Sequence, residues 1–164
     1  MPVNHPPPSD AALALLKNYE QGPNGGFAAV AYRCAAGYPT IGWGHRVQSG
    51  EKFQQPISAS EAETLLRLDA LRAGGQIGVS VKVPLTQSMM DALTSFVFNV
   101  GFGAFMGSTL FAFLNAGQYL AAADEFLKWN KARNPKTGQK EPLTGLTRRR
   151  QAEREWFLRE ALPG

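Results

Sequence analysis

Residues 20–45 read EQGPNGGFAAVAYRCAAGYPTIGWGH, and the rest of the chain is organised around this stretch. Glu20 closes an apolar run at helical spacing, Ala12, Leu13, Leu16 and Tyr19, which Ser9 or Asp10 is suited to cap. Pro23 bars that helix from continuing. Phe27–Cys34 then reads as a strand and Thr40–Val47 as its partner, with the turn at Gly37, Tyr38 and Pro39. The glycines at 22, 25, 26, 37, 42 and 44 make a poor core element but suit backbone that must turn or approach a ligand closely. An isolated acid, Glu20, the only cysteine, Cys34, and His45, one of two histidines, stand in this lip-like stretch.

Further along, Ser58-Ala59-Ser60-Glu61 is a capping-box pattern, preceded by Ile57. It predicts a long helix through Leu65, Leu66, Leu68 and Leu71 that stops at Gly74-Gly75. Beyond Pro84 the pattern is helical. Thr86 caps a run with Met89, Met90, Leu93, Phe96, Val97 and Val100 on its stripe, and Ser108 caps a short helix. Residues 130–145 read as a polar loop, and a basic helix, TRRRQAEREWFLRE, follows. The expected architecture is α+β and mostly helical. Residues 1–8 form a proline-rich flexible arm and residues 9–164 a single domain. Within that domain, a β-hairpin lobe at about 20–57 is joined by a connecting helix at about 58–74 to a helical lobe at about 80–160.

At 164 residues, with 44% hydrophobic and 18% charged residues, the chain has the make-up of one globular domain able to bury a core. A net charge of +4 favours an anionic partner without choosing one. A single cysteine cannot form an internal disulfide. MPVNHPPPSD lacks the basic start and apolar core of a signal peptide, and no apolar run approaches the ~20 residues of a membrane span. The expectation is synthesis in the cytoplasm.

No metal site is expected, because His5, Cys34 and His45 lack ligand spacing. No GxSxG elbow and no GxxxxGK[ST] loop occurs. Nucleic-acid binding would rest on Arg148–Arg150, but Glu153, Glu155 and Glu160 share that helix, so a solvated charged face is the simpler reading. Glu20 is the strongest candidate for chemistry. A carboxyl beside glycine-rich backbone and the apolar bodies of Tyr19 and Phe27 suits a general acid of glycoside hydrolysis. No second Asp or Glu lies between Glu20 and His45, which leaves Cys34, Tyr38 and Thr40 to handle water or developing charge.

Tyr19-Glu20, Ala31-Tyr32-Arg33-Cys34, Gly37 and Thr40-Ile41-Gly42-Trp43-Gly44-His45 together resemble the phage-type lysozymes, the muramidase endolysins of glycoside hydrolase family 24. The family pattern is a Glu, then Asp or Cys, five residues, and Thr; five residues separate Cys34 from Thr40 here. SEAETLLRLDA, DALTSFVFNVG, STLFAFLNAGQY, Trp129 and GLTRRRQAE extend the resemblance over nearly the whole chain after the arm. One departure is length: the family usually has eight residues between its Glu and the Asp or Cys, and this chain has thirteen, residues 21–33.

The resemblance implies a lysozyme-like fold that hydrolyses the β-1,4 bond between N-acetylmuramic acid and N-acetylglucosamine, without cofactor or metal. Glu20 would be the acid and Thr40 the residue that positions water, with Cys34 standing where many relatives have Asp. Ser108 and Tyr38 are candidate substrate contacts. His45 paired with Asp69, and Arg149 beside Glu20, would support the site. The implied partner is bacterial peptidoglycan, not nucleic acid, met by a monomer after holin-dependent release to the cell wall. Weak contact of the terminal helix with anionic membrane or lipopolysaccharide is a further expectation. A lytic transglycosylase and an inactive glycan-binding protein on the same fold are the rival readings.

Overall fold

The computed structural model describes residues 2–164. Ser9 caps α1 (Asp10–Tyr19), its hydroxyl accepting from the Ala11 N–H. Its own N–H and hydroxyl donate to the buried carboxylate of Asp91, which pins the start of α1 to a later helix. A three-stranded antiparallel sheet follows, β1 (Ala28–Arg33), β2 (Pro39–Gly42) and β3 (His45–Arg46), in that order. Ala28 pairs with Gly42 but Tyr32 with Thr40, so β1 carries a bulge. The long connection after Glu20 is taken up by a turn, closed by a hydrogen bond from Gly22 N–H to Gly26 O at 2.8 Å, and by that bulge.

α2 (Ala59–Ser80) is capped by Ser58, as its capping box predicts. It does not stop at Gly74-Gly75. The helix runs on to Ser80 because its buried stripe continues to Ile77 and because Gly74 is a packing surface. A Cβ at Gly74 would lie 2.4 Å from Pro8 Cδ. The proline arm forms no helix or strand, yet it lies along α2 beside Leu71, Gly74 and Gly78 and is tied down just beyond it. His5 Nε2 meets Val83 O at 2.9 Å, and Gln87 Nε2 donates to Pro7 O at 2.8 Å.

The buried stripe of α2 joins the lobes. Ala62 packs with Ile41 and Ile57 of the β lobe, Leu66 and Ala70 with Leu13 and Leu16 of α1, and Ala73 and Ile77 with the main helical core. That core surrounds α3 (Gln87–Val100), buried all round from Ser88 to Val97 as expected of a central helix. α4 (Phe102–Met106), α5 (Thr109–Asn115) and α6 (Tyr119–Glu125) wrap it, and α7 (Thr144–Phe157) packs along it. The segment read as a loop instead forms a hairpin, β4 (Lys131–Arg133) with β5 (Lys140–Pro142). Its polar strands show no apolar alternation that could have revealed it.

α7 also departs from expectation. Arg149, Arg150 and Glu153 are not a solvated face; all three are buried against α3. Arg150 lies over the Phe96 ring, donates to Asn99 Oδ1 and sits 3.1 Å from Glu153.

Candidate active site

Glu20 is the residue that ends α1, its N–H still bonded to Leu16 O at 2.8 Å, so the carboxyl emerges where the helix stops. Facing it across a cleft of about 500 Å³ are Cys34 on the β1–β2 turn and Thr40 on β2. The cleft therefore brings together the three residues expected to carry the chemistry. Tyr19, Tyr32, Arg33, Gly44, Arg46, Phe98 and Asn99 complete much of its wall.

The surroundings of the Glu20 carboxyl are less apolar than the sequence suggests. Phe27 turns away and packs near Trp43, and the Arg149 guanidinium takes its place. Arg149 Nη1 donates to Glu20 Oε1 at 2.6 Å, while Nη2 donates to Ser95 O at 3.0 Å and Ser95 Oγ at 3.3 Å. Its Nε lies 3.6 Å from Glu153, so one arginine joins the acid to the buried cluster of α7. Burial presses that cluster toward neutrality, lowering Arg150 to about 10 and raising Glu153, against their mutual attraction.

On its other side Glu20 touches backbone. Gly44 adopts φ +72°, and a Cβ there would lie 2.5 Å from Glu20 Oε2. Only glycine fits both the conformation and the space.

Across the cleft, Thr40 is buried and its hydroxyl donates to Tyr38 O at 2.9 Å. With that proton committed, Oγ1 faces other partners as an acceptor. Burial by itself would raise the Cys34 thiol. Hydrogen bonds with the backbone of Tyr38 and Ala36, the nearby Thr40 side chain and the charge of Arg46 outweigh it and hold the thiol below its ordinary value.

His45 lies beneath this wall and is buried. Its Nδ1 meets Asp69 Oδ2 at 2.7 Å, the pairing expected from sequence. Its Nε2 meets Glu51 at 3.0 and 3.1 Å, which sequence reasoning missed. Both ring nitrogens thus face carboxylates, so the ring is a double donor. The Asp69 hydrogen bond is the largest cause of its raised pKa, with burial opposing and Glu51 adding to the rise.

Two candidates lie elsewhere. Ser108 is buried, its hydroxyl donating to Phe105 O at 2.6 Å and accepting from Phe111 N–H at 3.0 Å, and it does not line the cleft. Tyr38 is about half exposed and also outside the cleft wall; its ring carries the Arg46 guanidinium at 4.2 Å. Of the phenylalanines on and after α3, Phe96 and Phe105 are core, while Phe98 and Phe102 reach the groove.

A small sheet and a helical lobe hinged on one long helix, with a single carboxyl facing hydroxyl and thiol between them, define a lysozyme-like glycoside hydrolase. The phage lysozyme family model matches residues 23–153, and the chain belongs to that family. It is 42% identical over 149 residues to the endolysin of Acyrthosiphon pisum secondary endosymbiont phage 1, covering 91% of this chain and 96% of that one. Among solved structures, the endolysin from Escherichia coli O157:H7 phage FAHEc1 superposes with a TM-score of 0.82 at 32% identity, covering 99% of each chain. The muramidase domain of SpmX from Asticaccaulis excentricus gives a TM-score of 0.80 at 34% identity, over 94% of this chain and 99% of that one.

Proposed function

We propose that Glu20 is the general acid with which this chain cleaves peptidoglycan glycan strands. The chain is a peptidoglycan-degrading lysozyme, a glycoside hydrolase of the muramidase type. The family match begins three residues beyond Glu20, so the role of this acid rests on its geometry. The observation that carries it is a carboxyl clamped between Arg149 and Gly44 and aimed into the cleft that Thr40 and Cys34 share.

In the proposed reaction, protonated Glu20 gives its proton to the departing O4 of the β-1,4 bond between N-acetylmuramic acid and N-acetylglucosamine. The carboxylate left behind is held by Arg149. Water attacks C1 as oxocarbenium character develops, oriented by its hydrogen bond to Thr40 Oγ1, and its proton passes to the Cys34 thiolate or to solvent. The course is inverting on this reading, since neither Thr40 nor Cys34 is the carboxylate nucleophile of a retaining enzyme. No step calls on a cofactor.

The proposed site of action is the bacterial cell wall, reached by a monomer after synthesis in the host cytoplasm and release through membrane lesions. Among the described residues no helix is long and apolar enough to cross a membrane. Contact of α7 with anionic membrane is not part of the reading, because Phe157, Arg149 and Arg150 are buried.

Purified peptidoglycan digested with wild type and Glu20→Gln, with products resolved by mass spectrometry, tests this. We expect new reducing ends with wild type and a loss of roughly 10²-fold or more with Glu20→Gln. Anhydromuramyl ends would instead establish a lytic transglycosylase. Binding of intact strands without cleavage by wild type would establish a glycan-binding protein.

A further inference from the structure

The catalytic cleft continues past Gly44, Arg46 and Phe98 into a further groove of about 220 Å³, lined also by His45, Asp69, Arg72 and Phe102. The charges along this path are unequally answered. Its two carboxyls are each paired: Glu20 with Arg149 at 2.6 Å, Asp69 with His45 at 2.7 Å. Among the described residues no carboxylate lies within ion-pair distance of Arg33, Arg46 or Arg72. Arg72 is answered in part, since its charge helps lower Glu51. Arg33 is not, Arg46 acts only on the Cys34 thiol, and both are exposed at the β-lobe lip.

Both are also held in place. Arg33 Nη1 donates to Gly37 O at 2.9 Å, across the turn that carries Cys34. The Arg46 guanidinium stacks 4.2 Å from the centre of the Tyr38 ring, an arrangement that leaves its edge N–H groups free in the plane of the fork. A flexible surface arginine loses conformational freedom when it binds, and these two have already lost part of it. Planar, anchored forks with no carboxylate of the protein's own in reach suit carboxylates of a ligand, which guanidinium binds in bidentate fashion.

We propose that Arg33, on the cleft wall, and Arg46, where cleft and groove meet, make this path selective for glycan carrying free carboxylates on its peptide stems. Tyr38 then acts as the platform that positions Arg46. The inference rests on the hydrolase reading above and adds to it the chemical class of substituent the strand must bear. Arg46 also faces the Cys34 thiol, but that effect falls on kcat and is the same for every substrate.

The test compares native sacculi with sacculi whose stem carboxylates have been amidated by carbodiimide and ammonia. It uses wild type, Arg33→Gln/Arg46→Gln and a charge control, Lys136→Gln/Lys140→Gln, on the exposed hairpin away from the groove. Reducing-end release gives KM and kcat separately, and thermal melts confirm that each variant is folded. On native sacculi the groove variant should show a KM raised roughly three- to tenfold, the range of two solvent-screened arginine–carboxylate contacts. Wild type should show a similar rise on amidated sacculi, where the gap between it and the groove variant closes. At high salt the difference on native sacculi should shrink as well. Tyr38→Leu should raise KM on native sacculi less than the loss of both arginines does.

Equal KM for wild type on native and amidated sacculi overturns the proposal, as does a KM rise of equal size for the groove variant on both. A rise of the same size in the charge control also overturns it, because net charge alone would then explain the effect. If wild type releases no reducing ends from either substrate, it is the hydrolase reading that fails.

Discussion

Replacing Asp69 by asparagine should destabilise the protein in a pH-dependent way, because His45 is held between two carboxylates. Asp69 Oδ2 lies 2.7 Å from Nδ1 with 14% of its side chain exposed, and Glu51 lies 3.0 Å from Nε2 with 32% exposed. A hydrogen bond to a charged partner contributes about 1.5–3 kcal/mol, and about 2–4 °C of Tm accompanies each kcal/mol in a chain of this size. At pH 5.5, Asp69→Asn should therefore lower Tm by about 3–12 °C. The folded pKa of His45 is raised above its unfolded value of about 6.5. Its contribution is thus fully present below that value and is lost as pH rises through the folded pKa. Glu51 is shifted down despite its burial, chiefly by the Gln48 N–H and by His45. Its share holds above the unfolded carboxylate range of about 4.3–4.5 and fades as pH falls through the folded value. The two shifts leave a plateau between about pH 5 and 6.5. At pH 9, above the unfolded value, less of the charge-assisted pairing remains, and Asp69→Asn should cost less than at pH 5.5. Calorimetric melts of wild type, Asp69→Asn and Glu51→Gln at both pH values measure this. Equal losses at pH 5.5 and 9 would refute the reasoning, as would a larger effect for the more exposed Glu51.

Arg149→Ala leaves both Glu20 and the buried Glu153 without their shared cation; breaking a buried pair costs about 3–5 kcal/mol, so a large drop in Tm at pH 7 should accompany lost turnover. Arg149→Lys should fall between Arg149→Ala and wild type in both assays. Gly44→Ala forces a side chain onto Glu20 at φ +72°. Circular dichroism should show a folded protein destabilised by about 1–2 kcal/mol, and kcat should fall at least tenfold; unchanged turnover would show that the acid tolerates displacement. For Cys34, the rate of iodoacetamide labelling should rise with pH at a midpoint below the free-cysteine value of about 8.5, and labelling should abolish cleavage. Cys34→Asp should retain more activity than Cys34→Ala if the group takes a proton from water, and the two would be equal if the thiol only fills space.

What the sequence could convey depended on how local the determining contact was. Ser58, Thr86 and Ser108 cap the helices they precede, because a cap is settled within three residues of itself. Glu20, Cys34 and Thr40 were legible as a set through the resemblance to the phage-type lysozymes, despite the longer Glu20–Cys34 connection, and all three line one cleft. Glu51 was not legible, since its bond to His45 depends on how an irregular loop folds back. Gly74-Gly75 reads as a stop signal until Pro8, distant in sequence, occupies the space that a side chain would need. The pattern of α7 also misleads: charges at 149, 150 and 153 look solvated, and only the packing of α3 makes them interior. Arg33 and Arg46 look like ordinary surface cations until the pairing of every nearby acid is known.

The bond between Glu20 and Arg149 spans 129 positions of the chain. During synthesis the acid leaves the ribosome early, and the cation that holds it comes with the last helix. A chain that lacks α7 therefore lacks the arginine that holds the Glu20 carboxyl. The contact is made where α7 packs on α3, so one ion pair joins the first helix to the last across the chain.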